Sequence, residues 1–202
     1  MSSITSPTPF HLDGGTLFSL GVAFSLMPAA QFLASISLPK NVATKYKYLF
    51  LWHTYDFLTH FIVEGSFLYH CFFSYIDLPA ATADYPHPAS LNPDGVYFLG
   101  QKSRRYGALY STAPMARLWQ EYAKADHRWA GADLTIISLE ILTVGLAGPC
   151  ATYIAYLISK ITSAPAGKGK TKLQARMWFL ATVLATGELY GGQIVQRESG
   201  WG

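Results

Sequence analysis

His53-Thr-Tyr-Asp56-Phe-Leu-Thr-His60-Phe-Ile-Val-Glu64 lies inside an otherwise apolar run from about Tyr48 to Phe73, and this stretch decides the fold. Its four polar residues are offset by three, seven and eleven positions. At roughly 100° per residue they share an arc of about 80° on a helix. The remaining positions are Leu, Phe, Ile, Val, Trp and Tyr. Such a helix lies in a bilayer only if the polar stripe faces protein or a cavity. Ionisable side chains at that depth are costly, so the stripe marks a candidate functional site.

The composition agrees. Of 202 residues, 50% are hydrophobic, 15% aromatic and only 13% charged, against about 25% charged in soluble domains. The formal net charge of +3 is modest. It forms no nucleic-acid-binding stripe, so no nucleic-acid partner is expected. Cys71 and Cys150 offer no disulfide framework and no metal-ligand spacing. No basic residue precedes the first apolar run, which is too long for a signal-peptide core and reads as a retained membrane helix.

The chain reads as a single all-α domain, 1–202, a polytopic membrane helix bundle. No Asp, Glu, Lys or Arg occurs between Asp13 and Lys40, enough for a span that needs about 20 residues. Helices are predicted near 16–38, 48–73, 129–158 and 177–192. A long irregular loop is predicted over 77–128, ending in a short interfacial helix near Met115 to Lys124. The third run carries Asp133, Glu140 and Thr143. Asp133 and Glu140, seven apart, differ by about 20° in direction. The fourth run is short for a span, and an atypical polar tail, 193–202, follows it. Lys40, Lys45 and Lys47 in one connection, and Lys160, Lys168, Lys170, Lys172 and Arg176 in another, put both loops on the cytoplasmic side.

His60 and Glu64 are helical neighbours able to hold and pass a proton. Burial raises a carboxyl's pKa and a nearby imidazolium lowers it. Glu140 with Thr143 forms a second acidic face that can meet the first across a bundle core. No Lys or Arg falls inside the runs, which favours proton chemistry or a cationic ligand. Plainer readings stand beside these. His53 and Asp56 also fit as interfacial polar residues, and His60 with Glu64 as glue between helices. Asp133 also fits as a helix-end residue. A His/Glu pair also suits a metal, but no third ligand is evident, so neither a metal nor another cofactor is expected. A proton-coupled transporter would show repeats and broken helices, and neither is visible.

Several segments resemble the emopamil-binding proteins. These are His60-Phe-Ile-Val-Glu64-Gly65, Leu118-Trp-Gln-Glu-Tyr-Ala-Lys-Ala-Asp126-His-Arg128, Asp133 with Leu139-Glu140-Ile-Leu-Thr143 up to Gly148-Pro149, and Thr186-Gly-Glu-Leu-Tyr190-Gly191. The likeness covers roughly Thr16 to Gly191. The resemblance implies the five-helix EXPERA fold, here with four recognisable helices, as a multi-pass protein of the endoplasmic reticulum membrane. It implies a sterol substrate whose ring double bond moves from the 8,9 to the 7,8 position. The steps implied are protonation, a tertiary carbocation, and proton loss from the neighbouring ring carbon. His60, Glu64, Glu140 and Thr143 would be catalytic, with Glu140 stabilising the cation and Thr143 orienting it. Which carboxylate donates and which accepts stays open. Asp133, His53, Asp56 and Tyr190 would contact substrate. Cationic amphiphilic amines would bind as carbocation mimics, within the lipid bilayer, and self-association as a homodimer stays open. The family's fifth helix has no counterpart here, so a truncated or alternatively spliced product, or a mispredicted gene end, is expected. Its alternative function is a non-catalytic sterol- or amine-binding membrane protein.

Overall fold

The computed structural model describes residues 13–78, 98–101 and 103–198, with side chains of the last helix described to Gly191. Parts of the expected loop (79–97 and 102) and of the expected tail (199–202) lie outside the described residues.

Helix α1, Gly14–Ser37, begins at Asp13, whose side chain accepts from the Thr16 amide at 2.7 Å. That bond satisfies one of the donors a helix start leaves open. It also holds the Asp13 carboxyl below its ordinary pKa, with a further contribution from Arg117. Arg117 Nε lies 3.5 Å from Asp13 Oδ2 and ties the start of α1 to α4 (Pro114–Tyr122). Pro28 sits within α1.

The polar-striped segment is one continuous helical run in three parts. α2, Thr44–Leu58, passes through a π-helical segment, Thr59–Glu64, into α3, Gly65–Phe73. The run starts four residues before the expected Tyr48. Lys45 and Lys47 are good helix formers, and the apolar pattern marks where burial begins, not where the helix does. The third run behaves in the opposite way. α5, Leu134–Leu142, starts after the expected Trp129, because Asp133 caps it by accepting from the Ile136 amide at 3.0 Å. A second π-helical segment, Thr143–Ala147, leads into α6, Gly148–Ser163. The fourth helix, α7, covers Lys168–Glu198. It is far longer than the expected 177–192, and residues 193–198 of the expected tail are helical. Gln, Arg and Glu are good helix formers, so a polar composition does not by itself end a helix.

Among the described residues, two helical stretches, Gly14–Ser37 and Leu134–Ser163, are long and apolar enough to cross a membrane. α1 points large apolar side chains outward, with Phe24 78%, Phe32 64% and Ile36 65% exposed. An apolar surface of that kind suits lipid better than water.

The connection expected to be irregular carries structure. β1, Tyr75–Asp77, pairs antiparallel with β2, Arg104–Tyr106, in the register Tyr75 to Tyr106. Among the described residues the fold is therefore mostly helical with one small ladder. Arg104 Nε donates to Asp77 Oδ1 at 2.9 Å across the pair. Gly107, at φ +136°, follows β2, and a Cβ there would lie 2.5 Å from Gly131 Cα. Only glycine allows the two chain segments to approach so closely.

Two apolar cores result. One joins α1, α2, α6 and α7 through residues such as Phe50, Ile154, Ile158 and Met177. The other joins α3, α4 and α5 around Phe67, Trp119, Trp129 and Ile136. Trp119 and Trp129 stack at 5.1 Å, and Phe67 meets both edge-on. Along the helices, the polar residues fall between these cores.

Candidate active site

Both helical runs that carry the acidic residues are interrupted by π-helical segments at this level. Gly65 N donates to His60 O, and Gly148 N donates to Thr143 O. These five-residue spacings widen the helix by one residue per bulge, a distortion found frequently at functional sites. His60 and Glu64 lie within the first bulge, and Glu140 precedes the second by three residues. The two bulges pack closely because Gly148 has no side chain. A Cβ there would meet Phe61 at 3.1 Å and His60 Cβ at 3.3 Å.

His60 is the centre of the cluster. Its Nδ1 lies 2.6 Å from Glu64 Oε2. Its Nε2 faces Asp56 Oδ1 at 3.4 Å and Glu188 Oε1 at 3.8 Å. The Glu64 and Glu140 carboxyl groups face each other, with the Thr143 hydroxyl beside both. Thr143 Oγ1 donates to Glu140 Oε2 at 3.3 Å and also reaches the Glu140 carbonyl at 3.1 Å. Glu140 is only 4% exposed. No Lys or Arg occurs in 48–101, 129–159 or 177–196, so the stretches of helix that carry the cluster supply it no Lys or Arg. A positive charge that enters this space is favoured by every carboxylate around it.

Four residues expected to be catalytic, His60, Glu64, Glu140 and Thr143, thus share one place, and Asp56 adjoins them. His53 is buried one helical level away, within electrostatic reach of Glu188. Two residues expected to contact substrate are elsewhere. Asp133 is engaged as the cap of α5. Tyr190 is 66% exposed on α7. Its neighbour in sequence, Glu188, is the residue that enters instead. It was the only acid in the apolar part of the fourth run, so the rule that exposed His60 applies to it equally. Its partners come from another helix, and sequence spacing could not show them.

Outside the helical cluster, Asp126 and Arg128 lock the entry to α5. Arg128 donates from Nη2 to Asp126 Oδ2 at 2.7 Å, and this guanidinium holds the Asp126 carboxyl below the ordinary range.

Residues 114–200 match the family model described as EBP: EXPERA (EXPanded EBP superfamily). This segment carries the chain's similarity to the EXPERA superfamily. The EXPERA segment includes α4, α5, α6 and α7, and with them Glu140, Thr143 and Glu188. The chain is also similar to a protein of Arabidopsis thaliana named "Probable 3-beta-hydroxysteroid-Delta(8),Delta(7)-isomerase", 24% identical over 152 residues. That match covers 75% of this chain and 52% of the relative, about half its length. A protein of Oryza sativa subsp. japonica with the same name is 24% identical over 196 residues, covering 92% of this chain and 68% of the relative.

Proposed function

We propose that this chain is an EXPERA-type sterol isomerase that moves a ring double bond from the 8,9 to the 7,8 position. The observation that carries the reading is the meeting of Glu64 and Glu140 from two helical runs, with His60 and Thr143 at their sides. The names of the plant relatives support the substrate class.

The reaction needs one proton in and one proton out. A proton adds to C9 of the 8,9-alkene and the electron pair of the double bond forms the new C–H bond. C8 is left as a tertiary carbocation. Loss of a proton from C7 returns its electron pair to form the 7,8-alkene. No electrons are gained or lost, and no redox partner is required. A carboxyl group delivers the first proton and a carboxylate accepts the second, a task that suits two carboxyls facing one apolar space. Glu140 stabilises the cation between these steps, and the Thr143 hydroxyl fixes its orientation. His60 holds Glu64 in place through the 2.6 Å contact. The reading carries with it a multi-pass helix bundle in the endoplasmic reticulum membrane, with α2–α3 and α7 as further spans. Cationic amphiphilic amines bind in this reading by standing in for the carbocation.

The test is complementation of a cell deficient in sterol isomerase, with sterols identified by mass spectrometry. The expected result is a 7,8-unsaturated product. Accumulation of the 8,9-sterol, with the protein folded and present in the membrane, contradicts the isomerase and leaves a non-catalytic sterol- or amine-binding protein.

A further inference from the structure

The Nε2 side of His60 carries a function that the isomerase reading does not use. The His60 side chain is 7% exposed, and its Nδ1 is engaged with Glu64. When Nδ1 carries the hydrogen and donates it to Glu64, Nε2 presents a lone pair. Asp56 and Glu188 turn carboxylate oxygens toward that lone pair, at 3.4 and 3.8 Å. Among the described residues, His60 Nε2, Asp56 Oδ2 and Glu188 Oε1 are buried atoms without a hydrogen-bond partner. In that tautomer three electron-pair donors converge on one point, and either a proton on Nε2 or a metal ion between them relieves the repulsion. Ligand atoms of all three residues lie within 4.8 Å of one another, close enough for one ion to bridge them.

We infer that Asp56, His60 and Glu188 form a binding site for a divalent transition-metal ion, with zinc as the natural probe. One imidazole nitrogen and two carboxylate oxygens form a three-ligand set of the type zinc accepts, leaving a fourth position for water. The Glu64 carboxylate on Nδ1 is the outer partner that metal-bound histidines characteristically have, and it fixes the tautomer that ligates. The groups around the site comprise His53 on α2, Glu64 in the first bulge, Glu140 on α5 and Cys150 on α6. None of them is a permanent cation that would repel the ion. The ion would join α2 to α7. Asp56, His60 and Glu188 lie on two segments, and only the fold makes the third ligand visible.

The experiment is a metal titration of the purified full chain in detergent micelles, without sterol, using Zn²⁺ in competition with a chelator and Co²⁺ as a spectroscopic substitute. The expected result is one ion per chain, a melting temperature that rises with free Zn²⁺, and an affinity at least tenfold weaker in both Asp56→Asn and Glu188→Gln. Binding that is absent, or that is unchanged in both variants, overturns the inference. Pulsed electron paramagnetic resonance of the wild-type protein loaded with Cu²⁺ provides a check that needs no variant to fold. A coupled imidazole nitrogen is expected, and its absence also overturns the inference. Because no sterol is present, failure here leaves the isomerase reading untouched, and failure of catalysis leaves this one untouched.

Discussion

Gly148 offers a perturbation whose size follows from the structure. It opens α6 against the first π-helical bulge, and an added Cβ would sit 3.1 Å from Cε1 and Cζ of Phe61 and 3.3 Å from Cβ of His60. Carbon atoms pack best at about 3.5–4.0 Å. An alanine therefore asks its neighbours to retreat by about half an ångström. The Phe61 ring is 44% exposed and can swing outward, and alanine gains about 1 kcal/mol of helix preference over glycine. Gly148→Ala should leave stability within about 1 kcal/mol of the starting value. Gly148→Val adds two methyl groups beyond a Cβ already 3.3 Å from His60 Cβ, an atom bonded directly to the backbone that cannot swing away. Overpacking of that kind costs about 1–3 kcal/mol. It also pushes the two bulges apart, and a displacement of about 1 Å at a reacting centre can cost about 100-fold in rate. The assay pairs thermal unfolding in detergent with sterol conversion in isomerase-deficient cells. A Gly148→Val protein with wild-type melting and wild-type conversion would refute the claim that close approach of the bulges builds the site.

Three further outcomes are expected. Gly107→Ala should prevent stable folding of the α3–α4–α5 core, since its Cβ would lie 2.5 Å from Gly131 Cα at a φ of +136°; limited proteolysis would show this as rapid cleavage. Trp119→Ala should cost about 3–5 kcal/mol, the usual range for emptying a buried aromatic site, because it removes the stack on Trp129 and the 2.9 Å bond to Ser66 Oγ; chemical unfolding measures it. For Asp126, the folded carboxyl is held below its unfolded value by Arg128. Its contribution is therefore present above about pH 4, the unfolded value, and is lost as pH falls through the lower folded value. Asp126→Asn should melt earlier than wild type at neutral pH, with the difference shrinking on acidification.

The sequence made the polar stripe legible because helical periodicity is a local property. Asp56, His60 and Glu64 succeed one another at i+4, and the structure keeps His60 in reach of both. Glu140 and Thr143 were legible for the same reason. Helix ends were less so. Asp133 was read as a substrate contact with a helix-end role beside it, and the fold uses it as a cap. A cap and a buried acid look alike until the backbone around them is known. The apolar pattern reports burial, so it placed α2 too late and α7 far too short. The π-helical bulges left no trace in periodicity, since each shifts the helix by a single residue. Glu188 was missed because its meaning lies across the bundle, in His60, and no spacing within α7 points there. Gly107 and Gly148 likewise acquire their roles only from the segments that pass within van der Waals distance of them.

The most direct measurement is isomerisation by the purified chain in D₂O, with an 8,9-unsaturated sterol and product analysis by mass spectrometry. An exchangeable carboxyl group delivers its proton to C9, so the wild-type product should carry one deuterium there, while Glu64→Gln and Glu140→Gln should each lose about 100-fold or more in turnover. An unlabelled 7,8-product, or full turnover by both variants, would contradict the account.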